Sequence, residues 1–516
     1  MNDETHTDYF ITHRVAGQTV PSEMQANDRM QSHFNHLLRE QADVVENRVS
    51  AAGRTAIRFR ADEKTVARAQ AALQTAGNGS RSDVIIEPII SLDHNHPHSG
   101  YLHEMAKNLS QSSRAASAPL NRDMIEVRAT TQSGAPLPGA LVSVVVLNGK
   151  IPKTMTATTN ADGVARITGA TVGQTLAMAM VTPHFGYWGM VTSSPDQPVE
   201  MACPKLPQDG PLGWWHHLLN ADTLSDQDGT GVTVGVIDTG CGPAPQLLHV
   251  RDGGAIIGQT WSANGADVGV HGTFSCGVIG ARPTNQGDYA GLAQGAAIVS
   301  VRVYPDDTSG ANQMDVAIAI DKLSVTERAD LINLSLYSMT ASDIQQDAIR
   351  HALERGTVCV CSAGNNGGPV GYPAAFDETV AVSGLGQIGC APEGSVDSIF
   401  VPTDPTQKFG ENLYLATFSS RGDAVTAAGP AVGVLAPVPH VQDGAFGYAA
   451  MSGTSVAAPM ICGALSTWLS RSEAYLALPR DETRSAMALK IFLEHTKALG
   501  SDATFYGAGL LPLKMA

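Results

Sequence analysis

Three polar side chains stand where apolar runs end and small-residue stretches begin. Asp238 closes VTVGVID, His271 opens HGTFSCGVIGA, and Ser455 lies in SGTSVAAPMICGAL. A carboxylate, an imidazole and an alcohol are groups an enzyme could use for acid–base or nucleophilic chemistry. Taken singly, each has a plainer use: a strand-terminal Asp is a common turn former, and a Ser ahead of a small-residue helix is more often an N-cap than a nucleophile. A lone His before Gly is likewise a weak signal. His94, His96 and His98 in DHNHPHSG share the residue type of a metal site but read better as a solvated loop, and Cys359 with Cys361 is a lone C-x-C without the second pair a zinc site needs. The seven cysteines are odd in number and scattered, with none in the first 200 residues. They fit small buried apolar residues in a reducing compartment better than a disulfide framework.

From about residue 211 to 516, β-like apolar runs (GVTVGVID, AAIVSVRVY, ADLINLSL, TVCVCSAG) alternate with helical stretches such as DVAIAIDKLS and SDIQQDAIRHALERG. That alternation predicts an α/β domain, a parallel sheet covered by helices on both faces. In such folds the chemistry gathers where the C-terminal ends of strands meet the following loops, which is where Asp238 falls.

Order and flanking residues change the odds for the three together. DTG around Asp238, HGTxxxG from His271 and GTSxAAPxxxG around Ser455 resemble the three catalytic motifs of the subtilases, the subtilisin-like serine proteases, and SAGNNG resembles the segment holding that family's oxyanion Asn, here Asn365. Weaker agreements (GLAQGAAIVSVRV, DLINLSL, GYPAAF, ATFSSRG, YGAGLL) extend the resemblance over about 300 residues. It implies a subtilisin-like parallel sheet and a serine endopeptidase that works through an acyl-enzyme. Ser455 would be the nucleophile, His271 its base with an imidazole near pKa 6.5, and Asp238 the acceptor that fixes the imidazole tautomer. The Asn365 amide and the Ser455 backbone N–H would receive the oxyanion.

The resemblance also implies that substrate binds as an extended strand, along Ser335, Leu336, Tyr337 and Ser338 on one side and Ser362, Ala363 and Gly364 on the other. Tyr337 and Ser338 stand where the family often has two glycines. Their side chains either narrow the first specificity pocket or point away from the cleft. Cys276 and Cys361 replace usual alanines, and LAPVP from Leu435 replaces a common APG. The chemistry needs no cofactor. Calcium often stabilises the family, yet no loop matches a calcium motif; Asp306, Asp307 and Asp315 read as solvated loop and cap residues. No metal-binding residues are therefore assigned, and a structural calcium stays open.

Ahead of this domain the pattern is different. Residues 1–22 are polar and read as a flexible N-terminus. In 23–99, Met30, Phe34, Leu37, Leu38 and Val45 recur at helical spacing from Met24 to about Ser50, and a strand-helix-strand unit follows over 55–92, vaguely propeptide-like. Residues 100–123, rich in Ser, Ala and Asn, read as a linker. Residues 124–201 hold short alternating strands (IEVRAT, ALVSVVV, VARITG, TLAMAMV) separated by turns, which predicts a small β-sandwich. SGAPLPGALVSVVV with TATTNADGVARI resembles carboxypeptidase-regulatory or transthyretin-like modules, usually accessory domains. The architecture expected is thus a small α+β module and a β-sandwich in front of the α/β domain, the front part restraining or targeting the protease.

Composition narrows the partners. The chain has 516 residues, 43% of them hydrophobic and 16% charged, so disorder throughout is excluded. Lys+Arg 33 against Asp+Glu 49 gives a net charge of −16, which opposes nucleic-acid binding and a polybasic membrane surface. Residues 1–210 carry only about −2 of this. No apolar run reaches the roughly 18 residues of a spanning helix, and MNDETHTDYFITHR lacks an export signal, so a cytoplasmic place is expected with nonstandard secretion left open. The partner implied is a protein or peptide substrate in extended conformation; nothing in the motifs speaks to oligomeric state. Two other classes compete with the active endopeptidase. One is a latent or silenced protease-fold binding protein, disfavoured by the complete residue set. The other is an α/β-hydrolase esterase, opposed by the order Asp, His, Ser and by G-T-S-V-A in place of G-x-S-x-G.

Overall fold

A computed structural model describes residues 7–15, 17, 30, 32–38, 42–49, 54–76, 83–93, 120, 122–149, 151–193, 195, 198–307, 309–439, 447–500 and 502–514. The three-histidine loop and nearly all of the expected linker lie outside these residues.

The amino-terminal sheet contains β1 (Thr7–His13), β2 (Asp43–Val49), β3 (Thr55–Ala61) and β4 (Val84–Pro88), in the antiparallel order β2-β3-β1-β4. The expectation of a flexible segment over 1–22 is thus corrected, because Thr7–His13 is an inner strand. Tyr9 and Ile11 turn toward the module's own core with Phe34, Ile57, Phe59 and Val66, whereas Phe10 turns to the opposite face. The helical reading to Ser50 is corrected too. Helix covers residue 30 and residues 32–37, and Asp43–Val49 then pairs with β3 as an edge strand. Val44 and Val45, β-branched and about half exposed, suit that edge better than a helix. Helix α1 (Glu63–Ala76) is capped by Asp62, whose carboxylate accepts from Thr65 N at 2.9 Å. A short strand β5 (Ser91–Leu92) follows β4.

Residues 124–203 form two facing sheets. One is β11-β10-β7-β8 and the other β12-β6-β9, from β6 (Met124–Thr131), β7 (Leu141–Asn148), β8 (Ile151–Thr158), β9 (Val164–Thr168), β10 (Thr175–Thr182), β11 (Met190–Ser193) and β12 (Val199–Cys203). Alternation along β7 sends Val142, Val144 and Val146 between the sheets. Val145 and Leu147, with Ala177, Met178 and Met180, go to the outer face, where Val396 and Ile399 of the large domain pack. Backbone bonds hold the junction: Val191 N donates to Gly394 O and Val396 N to Gly189 O, both at 2.9 Å.

The large sheet is built on β13 (Thr233–Asp238), β14 (Arg251–Ile257), β16 (Ala297–Arg302), β18 (Leu331–Leu334), β19 (Val358–Ser362), β20 (Thr379–Gln387) and β23 (Ala427–Pro430), all parallel in the order β14-β16-β13-β18-β19-β20-β23. Antiparallel β15 (Thr260–Ser262) edges one side, and β21 (Lys408–Phe409) with β22 (Leu413–Leu415) the other. The remaining strands are β17 (Ala311–Asn312), which pairs with β5, and the hairpin of β24 (Val434–Pro437) and β25 (Tyr448–Met451). Period-two alternation splits the strands between two cores: Val234, Val236, Val358, Val360 and Val380 face one side, and Ile237, Ile332, Cys359 and Cys361 the other. Helices α2 (His271–Gly280) and α5 (Thr454–Ser470) cover the first face; α3 (Gln313–Asp321) and α4 (Asp343–Glu354) cover the second. Phe10, Ala56 and Ile85 of the amino-terminal sheet join this second core.

That docking carries polar anchors as well. Arg54 is fully buried between Asp321 (Nε to Oδ2, 2.6 Å) and Asp347 (Nη1 to Oδ2, 2.9 Å), and His351 Nδ1 lies 3.0 Å from Asp321 Oδ1. Glu87 accepts from Asp343 N at 2.9 Å and from the Ser342 hydroxyl, so it satisfies an orphan N–H in the first turn of α4. Burial pushes its carboxyl up to about 7, against the pull of the Ser342 and Asp343 hydrogen bonds. Among the described residues, no helix is long and apolar enough to cross a membrane.

Candidate active site

Asp238 is the last residue of β13 and His271 the first of α2. The loop after β13 and the start of α2 touch closely: a Cβ built on Gly272 would lie 2.0 Å from Gly240 O. Glycine is therefore the residue that permits the approach. Asp267 ties the two segments, accepting from the Thr239 hydroxyl at 2.7 Å, from Thr273 N at 3.1 Å and from the Thr273 hydroxyl. Burial raises the Asp267 carboxyl above its ordinary range despite those donors.

With the backbone so fixed, His271 Nδ1 lies 2.8 Å from Asp238 Oδ1 and 3.0 Å from Oδ2, both side chains buried. Asp238 also accepts from Thr239 N at 2.7 Å and from the Ser275 hydroxyl at 3.1 Å. Burial works against a charged imidazole at His271. The Asp238 carboxylate, with Asp267 and Asp307, more than offsets it, and the pKa is raised above 6.5.

Ser455 is the second residue of α5, behind Gly453 at the N-cap. Helices α2 and α5 lie side by side, with Gly463 against Ile279. The sheet register links the two sites: Ile237 of β13 pairs with Leu334 of β18, so Asp238 and Ser335 follow at neighbouring strand ends. Pro459 has no N–H to give the Ser455 carbonyl four residues back. The Ser335 hydroxyl takes its place, donating to Ser455 O at 2.8 Å, and itself accepts from Asn333 Nδ2 at 2.9 Å. The helix start carrying the serine is thus tied to the strand end after β18.

Asn365 follows β19. Its Oδ1 accepts from Thr454 N at 2.9 Å and from the Thr454 hydroxyl at 2.8 Å, which fixes the amide with its NH₂ on the opposite side. Thr454 also receives Gly364 N on its hydroxyl at 3.1 Å. Ser362 ends β19, and Ala363 is engaged inside the domain, its N–H to Val382 O at 3.0 Å and its carbonyl from Gly371 N at 2.9 Å. Leu336 is buried, while Tyr337 is partly exposed and exchanges both backbone hydrogen bonds with Asp93 at 3.0 Å. The Tyr337 ring turns toward Gly364 and Gly371.

The structure thus joins Asp238 to His271, Ser335 to Ser455, and Asn365 to Thr454, and draws these pairs to one end of the sheet. Sequence reasoning missed Ser275, Asp267 and Thr454, which orient the others. Ser275 lies one helical turn past His271, and Thr454 precedes Ser455, so helix spacing and adjacency were the available signals. The reading of Asp315 as a solvated loop or cap residue is corrected in one respect: it does bond the N-cap Asn312 in the first turn of α3, but it is buried, accepting from Gly258 N at 2.8 Å and Gln259 N at 2.6 Å of the turn after β14. Among the described residues, no group of three or more His, Cys, Asp or Glu could hold a metal ion.

The family model described as Subtilase family matches residues 229–509. The chain is 28% identical over 307 residues to subtilisin DY of Bacillus licheniformis, covering 58% of this chain and 96% of that protein. Over 295 residues it is 27% identical to the major intracellular serine protease of Bacillus subtilis, covering 55% of this chain and 82% of that one. A solved protease of Pseudoalteromonas arctica aligns with a TM-score of 0.46 at 22% identity, covering 60% of this chain and 97% of the other.

Proposed function

Since the chain belongs to the subtilase family, we propose that Asp238, His271 and Ser455 are its catalytic triad and that Asn365 stabilises the oxyanion. The protein is a subtilisin-like serine endopeptidase, a hydrolase of protein or peptide substrates. The observation that carries the residue assignment is the Asp238–His271 contact at 2.8 Å, buried, at the head of a helix lying beside the one that bears Ser455.

The chemistry follows from those groups. A serine hydroxyl is too weak a nucleophile at neutral pH without a base. His271 accepts the Ser455 proton as Oγ forms its bond to the substrate carbonyl carbon, and Asp238 stabilises the resulting imidazolium and holds the tautomer. The carbonyl oxygen becomes an oxyanion. The Asn365 NH₂, oriented because Thr454 occupies the other end of the amide, and the Ser455 N–H, which has no acceptor inside the first helical turn, donate to it. Collapse expels the amine, which takes the proton from His271. Water then repeats the sequence on the acyl-enzyme, releasing acid and restoring Ser455. No cofactor enters any step.

The amino-terminal module is assigned a restraining role. Supporting this, β5 pairs with β17, Asp93 pairs with Tyr337, and Arg54 is buried against two acidic residues of the large domain. A chain that lays a strand of its own along the edge leading to Ser455 competes with substrate for that edge.

The test is labelling by a fluorophosphonate probe, mapped by peptide mass, in wild type and Ser455→Ala. The expected result is a single adduct on Ser455, lost in the variant and formed faster once mild urea undocks the module. Absence of an adduct under both conditions overturns the assignment and favours a silenced scaffold.

A further inference from the structure

We propose that Tyr337 fills the pocket that receives the side chain on the acyl side of the scissile bond, so that the enzyme cleaves after glycine, alanine or serine and not after large apolar residues. The proposal rests on the assignment of Ser455 and Asn365 above.

The strand end after β18 shows how a peptide lies there. Tyr337 and Asp93 exchange both backbone hydrogen bonds in antiparallel register. Continuing that register toward the nucleophile by two residues brings a bound peptide opposite Ser335, whose hydroxyl is bonded to Ser455 O. The peptide residue at this position offers its carbonyl to Ser455 and its oxygen to Asn365. Its side chain, carried on the carbon next to the reacting carbonyl, shares the face of Ser335 and Tyr337, two residues apart, and so is directed to the space beside Gly364 where the Tyr337 ring lies.

That space is already occupied. A Cβ built on Gly364 would stand 3.3 Å from Tyr337 Cδ2 and 3.4 Å from Cε2, and one built on Gly371 would stand 2.8 Å from Cδ2. The phenol ring therefore lies against two backbones that have no side chains, a slot whose width is set by those glycines. Gly364 has φ +113°, so its lack of a side chain is fixed by backbone conformation as well as by space. The slot walls are held in place by Gly371 N donating to Ala363 O at 2.9 Å and by the Ser338–Tyr372 ladder, 2.8 and 2.7 Å. A slot between glycine backbones next to an oxyanion donor suits a flat or long apolar side chain when empty. With Tyr337 in it, a benzyl or isobutyl group has to displace the ring, whereas hydrogen, methyl or hydroxymethyl does not.

The experiment uses the full chain, active sites titrated with fluorophosphonate, and two peptide anilides identical except for Ala or Phe on the acyl side. Wild type is expected to favour the Ala peptide in kcat/KM by about 10²-fold. Tyr337→Gly is expected to abolish this preference, raising the Phe-to-Ala ratio of kcat/KM about 10²-fold, and Tyr337→Ala to raise that ratio by a smaller factor. Tyr337→Phe keeps the slot filled and should leave the ratio near wild type, which separates filling from loss of the hydroxyl. Equal cleavage of both peptides by wild type, or an unchanged ratio in folded Tyr337→Gly and Tyr337→Ala, overturns the proposal while Ser455 still labels. Loss of both activities with no adduct on Ser455 overturns the proposal together with the triad assignment beneath it.

Discussion

Arg54 and Asp321 meet at 2.6 Å with neither side chain exposed to solvent, one from the amino-terminal module and the other from the end of α3. A guanidinium at that depth is tolerable only because Asp347 and Asp321 both neutralise it. Removing it would leave two carboxylates near His351 without their shared cation.

We therefore expect Arg54→Met, made in the Ser455→Ala background to prevent self-cleavage, to lose about 3 to 5 kcal/mol of stability in urea unfolding. A loss under about 1 kcal/mol would show that the cation is dispensable to docking.

The pH profile of kcat/KM should report His271. The imidazole must be neutral to take the Ser455 proton, and the neighbouring Asp238, Asp267 and Asp307 raise its pKa above 6.5 despite burial. Activity is therefore lost on acidification around a midpoint above 6.5, not below it. Asp267→Asn removes one of the charges that favour the imidazolium, so its acidic limb should move to lower pH. A midpoint below 6.5 in wild type would contradict the charge arrangement.

Asn365→Ala should cut kcat by about 10²- to 10³-fold with KM little changed, because the donor acts on charge that develops only in the transition state. Thr454→Val removes the hydroxyl that holds Asn365 Oδ1 and receives Gly364 N, and leaves the backbone bond from Thr454 N. It should lower kcat by a smaller factor, about tenfold. Steady-state kinetics on one peptide checks both, and a change confined to KM in Asn365→Ala would place the amide outside the oxyanion site.

Residues that act at element ends were legible because local sequence places them. Asp238 closes a β-branched run, His271 and Ser455 open small-residue helices, and Asn365 follows a buried strand, so each motif carries its own structural context. Thr7–His13 was not legible: three apolar residues between polar flanks look like tail until β3 and β4, more than forty residues away, supply partners. Asp43–Val49 was misread for a related reason, since its hydrogen bonds go to β3 and none of that pairing is written at helical or strand spacing within the segment. The direction of the Tyr337 ring was left open by sequence. It is decided by Gly371, which comes from a separate loop beyond Asn365. Asp315 shows the same limit in part: its bonds with the N-cap Asn312 are local, but the backbone N–H groups of Gly258 and Gln259 that hold it in the interior come from a turn far away in sequence.

Val396 belongs to the large domain yet lies in one apolar cluster with Val145, Met178 and Met180 of the sandwich. The outer face of the sandwich and the large domain thus bury one apolar patch between them. Melting either one wets that shared patch on the other, so calorimetry is expected to show a single transition, and two resolved transitions would contradict the coupling.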